Sequence, residues 1–506
     1  MNLSRTFPAL LLALALLACA PLSLVARAQQ QAGIPARPEE LKYTPLSYSP
    51  PKRDRYRHVL SNGVVVYAVE DHDLPLVNIS TLVRTGSYLD PAGKEGLASI
   101  VGSQMRAGGT QKMTAEQFDE AADFLAAQIS SAIFSTQGTA SLNLLAKDVD
   151  KGLALYVDML RTPAFQEDRL KLVKSQILQS MERRNDNTSA IEAREWSRLL
   201  YGSEHFSTKE TTKASIESIT RQDLIDFHQK YYQPGGFIIA ASGDFKTPEL
   251  LARLEAAFKG WPASKAAVPD VPKPTQVPVA GVYAVNKPDV NQGRVSIGHT
   301  GTTRDNPDSY ALEIMNDILG GGGFTSRIMS RVRSDEGLAY SAGSSYGMGV
   351  YYPGAFRASF QSKSATTSQA IQIVLDEINR IRTSKVSAEE LETAKNSAIE
   401  TFPRIFSTAA QTAGTFAQDE YTKRPADYWD TYPQRVAAIT ADDVQRVAQK
   451  YLDPSKLVIL VVGNIEDITK GNPDRPEYSL TKLATNGQVR RIPLPDPLTM
   501  VYPPAP

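Results

Sequence analysis

The sequence Ile-Thr-Arg-Gln-Asp-Leu at residues 219–224 recurs at residues 439–444 as Ile-Thr-Ala-Asp-Asp-Val, an offset of 220 residues. Two further matches follow the same order: Val-Tyr-Ala-Val at 66–69 and 282–285, and Lys-Tyr-Tyr-Gln-Pro at 230–234 with Lys-Tyr-Leu-Asp-Pro at 450–454. After the last match, each copy continues into an apolar stretch that ends at a glycine. Three matches in one order, at nearly one offset, indicate a duplicated domain.

Helices and strands are mixed within each copy. Residues 63–70 have the composition of a β-strand. Thr114 and Gln117 form a capping box, and apolar residues follow at helical spacing. A further helix is predicted at 221–231, before a strand that begins at residue 237. These elements predict an α+β fold of two homologous domains, each a mostly antiparallel sheet covered by helices.

Proline-rich stretches separate and flank the two copies. Five prolines fall between residues 261 and 280, and proline at that density cannot continue a helix or a central strand. This part of the chain therefore has the character of an extended linker. The predicted order of segments is an export signal at 1–28, an extended N-terminal arm at 29–54, a first domain at 55–260, the linker at 261–280, a second domain at 281–470 and a proline-rich C-terminal arm at 471–506.

The N-terminus has the pattern of a signal peptide. Arg5 supplies the positive start, residues 10–20 form an almost unbroken apolar core, and residues 26–28 read Ala-Arg-Ala, which a signal peptidase cuts. We expect cleavage after residue 28 and export to the bacterial periplasm. The alternative is a lipoprotein attached through Cys19. Because Cys19 is the single cysteine, the first cut leaves no thiol for a disulfide, a zinc site or a nucleophile.

Charge and hydropathy exclude two other classes of protein. The chain has 55 basic and 55 acidic residues, so no bulk positive field attracts nucleic acid. No apolar run after the N-terminal segment is long enough to predict a membrane span.

Three short motifs follow one another early in the chain: Asn-Gly-Val at 62–64, Arg-Thr-Gly-Ser-Tyr at 84–88 and Gly-Lys-Glu-Gly-Leu-Ala at 93–98. This succession resembles the start of the pitrilysin/insulysin-type zinc peptidases, a family that includes the insulinases and the mitochondrial processing peptidases. The resemblance covers most of residues 55–470. It implies that the two domains form two halves of a clam-shell chamber for peptides.

The family's zinc motif is replaced in this chain. In the family, Gly-Leu-Ala leads into a helix with His-x-x-Glu-His, whose histidines bind zinc and whose glutamate activates the bound water, and a glutamate about 76 residues downstream completes the ligands. The corresponding residues here are Ser99, Gly102 and Ser103, and the downstream position falls at Gln179 or Ser180. Neutral hydroxyls bind zinc poorly and glycine has no side chain. We therefore expect no zinc or other cofactor in this chain and no peptide hydrolysis by the chain alone.

The histidines offer no substitute site. The chain has five: His58, His72, His205, His228 and His299. No two of them stand three to five residues apart, which is the spacing of a local metal-binding pair. We interpret all five as surface or structural histidines.

The strongest local match to the family lies in the second copy. Residues 319–327 read Leu-Gly-Gly-Gly-Gly-Phe-Thr-Ser-Arg, and residues 331–341 read Arg-Val-Arg-Ser-Asp-Glu-Gly-Leu-Ala-Tyr-Ser. In the family an arginine and a tyrosine in this segment, seven residues apart, face the zinc across the chamber. Arg333 and Tyr340 match that pair in type and spacing, so the resemblance implies that they bind substrate. The competing interpretation is that Arg333 is a solvated helix-end charge beside acidic neighbours.

The pattern as a whole resembles the noncatalytic subunit of a family heterodimer. Our first hypothesis is that the chain joins a zinc-bearing homologous subunit in the periplasm and binds and positions peptides for it. The second is a structural scaffold or assembly protein of the same fold without a proteolytic role. The third is a stand-alone peptidase with another mechanism, for which we expect no nucleophile elbow.

Overall fold

The computed structural model describes residues 48–262, 264, 267–484 and 487–504. The predicted export signal, with Cys19, lies outside this part of the chain, as does the predicted N-terminal arm up to residue 47. Ser49–Pro506 form one compact unit, which contains both copies of the repeat.

The first copy builds a six-stranded sheet. Its strands are β1 (Arg57–Val59), β2 (Val65–Glu70), β3 (Leu76–Val83), β4 (Gln128–Ile133), β5 (Gly138–Leu145) and β6 (Phe237–Gly243). Their order in the sheet is β1-β2-β6-β3-β5-β4. Strands β2 and β6 run parallel, and all other neighbours are antiparallel. Strand β4 therefore lies at one edge of this sheet.

The second copy builds a sheet with the same arrangement. Its strands are β7 (Gly281–Asn286), β8 (Gln292–Thr300), β10 (Ala339–Tyr346), β12 (Ala355–Lys363), β13 (Val458–Gly463) and β14 (Val489–Arg491), and a separate parallel pair is formed by β9 (Thr302–Thr303) and β11 (Met348–Gly349). The order of the main sheet is β10-β12-β8-β13-β7-β14. Strand β7 runs parallel to both its neighbours, and the other pairs are antiparallel. Strand β10 takes the edge position that β4 has in the first sheet.

Seventeen helices cover the sheets within the described residues. The first domain has α1 (Leu97–Ala107), α2 (Ala115–Phe124), α3 (Val149–Arg161), α4 (Glu167–Met181), α5 (Thr188–Tyr201), α6 (Lys213–Ser218), α7 (Arg221–Tyr231) and α8 (Thr247–Ala257). The second has α9 (Ser309–Asn316), α10 (Arg327–Met329), α11 (Thr367–Thr383), α12 (Ala388–Thr401), α13 (Ala409–Thr422), α14 (Tyr428–Ala437), α15 (Ala441–Tyr451), α16 (Ile465–Lys470) and α17 (Leu480–Leu483). Two π-helical turns, Asp317–Gly321 and Ser330–Asp335, continue α9 and α10.

Capping boxes explain where several helices begin. The backbone N–H of Gln117 donates to the Thr114 hydroxyl, and the Gln117 side chain accepts from the Thr114 backbone, as the sequence predicts. The repeated motif at 219–224 and 439–444 places the same device before α7 and α15, with a threonine cap and an aspartate three residues later. Each box satisfies N–H groups that the helix itself leaves unpaired. The duplication is thus visible at the level of single hydrogen bonds.

The two domains exchange one helix each. Helix α5 of the first domain packs on β8 and β13 of the second sheet, through Ile191, Trp196 and Leu200. Helix α13 of the second domain packs on β2 and β6 of the first sheet, through Phe416 and neighbouring apolar residues. Each sheet consequently buries both faces, one against its own helices and one against a helix of the other domain. Full burial of a large apolar side chain contributes roughly 1.5–3 kcal/mol, so this exchange is a main source of cohesion between the domains.

A buried carboxylate reinforces the exchange. Glu192 on α5 is 2% exposed and accepts a hydrogen bond from Arg357 Nη2 on β12 at 2.5 Å. Arg294 Nη1 on β8 lies 3.6 Å from the other carboxylate oxygen. At the other exchanged helix, α13, Glu420 pairs with Arg57 on β1 and accepts a hydrogen bond from the Tyr67 hydroxyl on β2. Charge pairs therefore fix both exchanged helices in register.

The C-terminal arm crosses from one domain to the other. It adds β14 to the second sheet beside β7. It then runs along the first domain, where Lys213 N donates to Leu498 O at 2.7 Å and Asn185 Nδ2 donates to Pro495 O at 2.8 Å. Tyr502 ends the contact by donating to Glu195 at 2.8 Å. This proline-rich segment acts as a strap across the domain junction.

The predicted fold class is confirmed: two homologous domains each have a mostly antiparallel sheet covered by helices. Among the residues that the structure describes, no helix combines the length and the apolar character that a membrane span requires.

Candidate functional site

Helix α1 carries Ser99, Gly102 and Ser103, the residues that the sequence resemblance aligns with the family's zinc motif. It begins after Gly96, whose φ of 104° is in the left-handed region that favours glycine. The Asp90 carboxylate accepts from the backbone N–H groups of Gly96 at 2.9 Å and Ala98 at 2.8 Å. Burial raises the pKa of Asp90 to about 6, although these two hydrogen bonds act in the opposite direction. The start of the helix is therefore fixed by a single side chain.

The three motif positions on α1 differ in their surroundings. Ser99 is exposed, whereas Ser103 is half-buried and its hydroxyl donates to Ile100 O in the preceding turn at 3.0 Å. Gly102 is buried against β4. A Cβ atom at Gly102 would lie 2.3 Å from the backbone nitrogen of Ile133, far inside the roughly 3.5 Å at which nonbonded atoms pack. Any larger residue at this position must push strand β4 away.

Strand β4 is tied to α1 by side-chain hydrogen bonds. The Ser131 hydroxyl donates to the carbonyl of Gly102. The guanidinium Nε of Arg106, one turn later on α1, donates to Ile129 O at 3.1 Å. The space in which a general base would lie is thus filled by the backbone of β4.

The residues present here do not fit a zinc ion. The two hydroxyls are weak ligands, and the one on Ser103 already donates within its own helix. Ser180, at the predicted downstream position on α4, likewise donates to Ile177 O at 2.8 Å, and Gln179 beside it has no carboxylate. Among the described residues, no group of three or more histidine, cysteine, aspartate or glutamate side chains could hold a metal ion.

A cavity of about 550 Å³ opens beside Ser99. Its wall includes His205, which donates through Nε2 to the carbonyl of Pro272 in the linker at 3.0 Å and contacts the Ser207 hydroxyl through Nδ1 at 2.7 Å. The Tyr88 hydroxyl donates to the linker at Pro269 O, 3.3 Å away. The linker therefore covers one side of this cavity, and His205 is a structural histidine, as the sequence predicts.

The two other buried histidines also have hydrogen-bond partners. His228 donates through Nε2 to Leu160 O at 2.8 Å, and burial lowers its pKa to about 4. His299 contacts Thr300 O through Nδ1 and accepts from the backbone N–H of Asp453. Burial lowers the pKa of His299 as well. Both rings are neutral parts of the packing.

Arg333 and Tyr340 lie together in the second domain. The Arg333 guanidinium carbon is 4.7 Å from the centroid of the Tyr340 ring and 4.6 Å from that of Phe324. The two rings are 84% and 66% exposed. Stacking between two aromatic faces holds a guanidinium in one orientation while its N–H groups stay accessible. The pair therefore presents a fixed cation beside an exposed phenol.

The acidic neighbours of Arg333 have other contacts. Asp335 lies 3.9 Å from Arg331, one turn back, and Glu336 accepts from Gln369 at 3.2 Å. Within the described part of the chain, no carboxylate lies within 4.0 Å of the Arg333 guanidinium. The guanidinium is therefore placed by the two rings and not by an ion pair with Asp335 or Glu336.

The backbone around Tyr340 fixes its direction. Gly337 has a φ of 63°, and the N–H of Leu338 donates to Val332 O at 2.8 Å, which closes the helix with a left-handed turn. Strand β10 then begins at Ala339. Its register with β12 shifts between Ala339 and Ala342, so Tyr340 lies on a bulge at an edge strand. Bulges commonly aim a side chain out of a sheet next to a functional site.

Two sequence motifs in this region have a structural role. In the glycine run, a Cβ atom at Gly320 would lie 2.5 Å from the backbone nitrogen of Ser344, so the run is a close-packed connection against β10, at least at this residue. Residues 343–347 read Gly-Ser-Ser-Tyr-Gly, which has the letters of a nucleophile elbow. They form part of β10, where Ser345 pairs with Arg357, whereas an elbow requires a sharp turn between a strand and a helix.

Sequence reasoning missed a second cavity, of about 490 Å³, in the second domain. Arg304, Arg424 and Arg435 all line it. They are up to 131 residues apart in the chain (435 minus 304) and belong to no motif, so no sequence signal connects them.

Comparison with known proteins identifies the family. The family model described as Insulinase (Peptidase family M16) matches residues 65–211, and the model described as Peptidase M16 inactive domain matches residues 218–398. A relative named "Non-peptidase homolog YmxG" from Helicobacter pylori is 22% identical over 79% of this chain and 91% of its own length. An "Uncharacterized zinc protease" from Rickettsia bellii is 24% identical over 66% of this chain and 80% of its own length.

The fold agrees with that of a solved structure. The peptidase M16 inactive domain from Pseudomonas fluorescens matches with a TM-score of 0.72 and 24% identity, over 80% of this chain and 97% of its own. The chain belongs to the insulinase family, peptidase family M16, as a member in which serine, glycine and serine replace the residues of the zinc motif.

Proposed function

We propose that this chain is the noncatalytic subunit of a zinc metallopeptidase heterodimer and that it binds and positions peptides for a homologous partner. The zinc ion, the attacking water and the general base would all belong to the partner subunit. Family membership and the replaced motif at Ser99, Gly102 and Ser103 support the first half of this proposal. The geometry of Arg333 and Tyr340 supports the second half.

One observation carries the proposal: Arg333 is held between two exposed rings without a carboxylate partner in the described residues. A planar guanidinium in this state can donate two hydrogen bonds to a peptide carbonyl. It can also stabilise the negative charge that develops on that carbonyl during attack. The Tyr340 hydroxyl, on the adjacent bulge, offers a further donor near the guanidinium.

Strand β10 gives the peptide a place to lie. It is an edge strand, with β12 as its one neighbour in the described sheet. An extended peptide can pair with such an edge through its main chain, which makes binding broad in sequence. Tyr340 lies at the start of this edge, so a paired peptide would pass the Arg333 side chain.

Reconstitution with a zinc-bearing M16 subunit tests the proposal. The partner is expected to cleave peptides only in the presence of this chain. Arg333→Ala should lower kcat by roughly 10²–10³-fold, the effect of removing one oxyanion donor, without loss of the complex. Tyr340→Phe retains the ring that holds Arg333 and removes the hydroxyl, so a smaller loss is expected.

Arg331→Ala is the matched control. Arg331 lies on the same π-helical turn, but its side chain is 45% exposed and faces Asp335 and Glu377 at 3.9 Å. The pair with Asp335 is exposed and contributes little, and the buried Glu377 keeps a second partner in Arg380 at 3.4 Å, so activity should stay close to that of the wild type. Full activity of the complex with both Arg333→Ala and Tyr340→Phe would favour the scaffold hypothesis instead.

We also propose that the protein works in the bacterial periplasm. This rests on the signal-like residues 1–28. Mass spectrometry of the exported protein should give a chain that begins at Gln29. A lipid-modified chain beginning at Cys19 would replace this with the lipoprotein alternative, and an intact N-terminus in the cytosol would contradict export.

A further inference from the structure

The cavity lined by three arginines has a defined place in the second domain. It lies between the start of α9, the strand pair β9–β11 and the connection from α13 to α14. Its volume is about 490 Å³, which is within the usual range for a small-ligand site. Neither the replaced zinc motif nor the Arg333–Tyr340 pair contributes to it.

The positive charges in this cavity are unevenly balanced. Arg424 is paired with Asp419 at 3.2 Å. The carboxylate nearest to Arg304 is its neighbour Asp305, at 3.7 Å, and that side chain is 79% exposed. In the described part of the chain, Arg435 has no carboxylate within 4.0 Å, and its Nε donates to a threonine hydroxyl instead. The positive charges of Arg304 and Arg435 are therefore poorly compensated by carboxylates of the described chain.

Arg304 shows the cost of this arrangement. Its side chain is 14% exposed, and one Nη donates to the carbonyl of Thr422. Burial lowers the pKa of Arg304, and the positive charge of Arg424 acts in the same direction. Its nearest carboxylate, Asp305, is solvent-exposed and 3.7 Å away, so it compensates this largely buried cation only weakly, and a bound anion would compensate it further.

Tyrosine rings line the cavity between the arginines. The rings of Tyr310 and Tyr428 stack at 5.9 Å with 22° between their planes. Arg424 lies 4.2 Å above the Tyr428 ring, and Arg435 lies 5.5 Å from the Tyr310 ring. Met348 and Val350 complete an apolar side. The cavity therefore combines guanidinium donors with aromatic rings and an apolar side.

Glu313 is the acidic side chain on this wall besides Asp305. It accepts a hydrogen bond from the Tyr432 hydroxyl at 2.5 Å, and burial raises its pKa. Its carboxyl is thereby engaged with α14, and in the described part of the chain it forms no ion pair with Arg304 or Arg435.

We propose that this cavity binds a carboxylate carried on an aromatic or apolar group, with Arg304 and Arg435 holding the carboxylate and Tyr310 and Tyr428 holding the apolar part. Two sources offer this chemistry: the C-terminal residue of a peptide and a free small carboxylate. The site is independent of the partner subunit, because all its residues belong to this chain.

Calorimetry with the isolated mature chain tests the site. The probes are a tetrapeptide that ends in phenylalanine with a free carboxylate, the same peptide with a C-terminal amide, and N-acetylphenylalanine. We expect the free-acid peptide to bind and the amide to bind at least about tenfold more weakly, the usual loss for a hydrogen bond to a charged group. Equal affinity for N-acetylphenylalanine assigns the site to small carboxylates, and binding of the peptide alone assigns it to peptide C-termini.

Variants separate the site from general charge effects. Arg435→Ala changes an exposed side chain, so the fold should be retained, and affinity for the free-acid probe should fall about tenfold or more. Arg253→Ala, an exposed arginine of the first domain, is the control and should leave affinity unchanged. The proposal is overturned if no probe binds, if the amide binds as well as the acid, or if Arg435→Ala has no effect. Because no partner is needed, failure here is distinct from failure of the reconstituted peptidase.

Discussion

Replacing Gly102 by alanine is expected to destabilise the protein, although the same change stabilises most helices. A Cβ atom would lie 2.3 Å from the backbone nitrogen of Ile133 and 2.8 Å from the carbonyl carbon of Ala132, so strand β4 must move. Overpacking of this kind costs about 1–3 kcal/mol. Loss of the Ser131 hydrogen bond to the Gly102 carbonyl adds about 1 kcal/mol. The higher helix propensity of alanine offsets about 1 kcal/mol of this cost. The free energy of unfolding should therefore fall by about 1–3 kcal/mol in total.

Gly414→Ala is the matched control, because Gly414 also lies within a helix, α13. A Cβ atom there has no neighbour within 4 Å. This variant should therefore gain about 0.5–1 kcal/mol. The free energy of unfolding of both variants can be measured by urea titration of the mature chain. If Gly102→Ala is as stable as the wild type or more stable, the inference that α1 packs too closely on β4 to admit a side chain is wrong.

A variant that restores the whole family motif, S99H/G102E/S103H, meets the same strand. A glutamate at residue 102 is larger than alanine, and its side chain has no space beside β4. We expect the purified variant to contain no stoichiometric zinc by elemental analysis and to be less stable than Gly102→Ala. Stoichiometric zinc in a folded variant would show that the site lacks only the three side chains, and it would contradict the argument that β4 fills the space.

Three further changes test other parts of the structure. Glu192→Ala should lower the free energy of unfolding, measured by urea titration, by about 2–3 kcal/mol. This is a small loss for a buried ion pair, because the two arginine partners of Glu192 are about one-third exposed. The control, Glu466→Ala, changes an exposed carboxylate and should cost less than about 0.5 kcal/mol. The pKa of His228 is about 4 in the folded state and about 6.5 in the unfolded state, so the folded protein binds the proton more weakly. The free energy of unfolding should therefore fall by about 2 kcal/mol from pH 7 to pH 5. His228→Gln should lose this pH dependence. Tyr502→Ala removes the hydrogen bond to Glu195 and the ring 3.8 Å from the Arg198 guanidinium, so limited proteolysis should release the C-terminal arm faster; an unchanged rate would contradict its role as a strap.

Local sequence signals predict much of the fold. The box at Thr114 gives the start of α2, because a cap depends on residues only three apart. Gly337 predicts the end of a helix for the same reason. The repeat at residues 219–224 and 439–444 extends these signals from one domain to the other. The presence of Arg333 near Tyr340 also follows from local spacing.

Contacts between distant residues could not be predicted. The exchange of α5 and α13 depends on which sheet each apolar helix face meets, and both sheets offer similar apolar strands. The loss of the zinc motif can be read at Ser99, Gly102 and Ser103. The close packing of α1 on β4 cannot be read there, because Gly102 carries no information about Ile133. The arginine-lined cavity escapes detection for the same reason.

The two segments that resemble parts of the family's active site differ in how they are packed. On α1 the space for a general base is filled, and such packing stabilises the fold whether or not a ligand binds. On the π-helical turn before β10, Arg333 lacks a carboxylate partner among the described residues, and on β10 Tyr340 is 84% exposed. This arrangement contributes little to stability. A purely structural protein gains from the first change and has no use for the second arrangement. Stability measurements separate the two: Gly102→Ala should weaken the fold, whereas Arg333→Ala should leave unfolding nearly unchanged and affect only the assembled peptidase. A large stability loss from Arg333→Ala would assign that arginine to the fold and remove the main support for peptide binding.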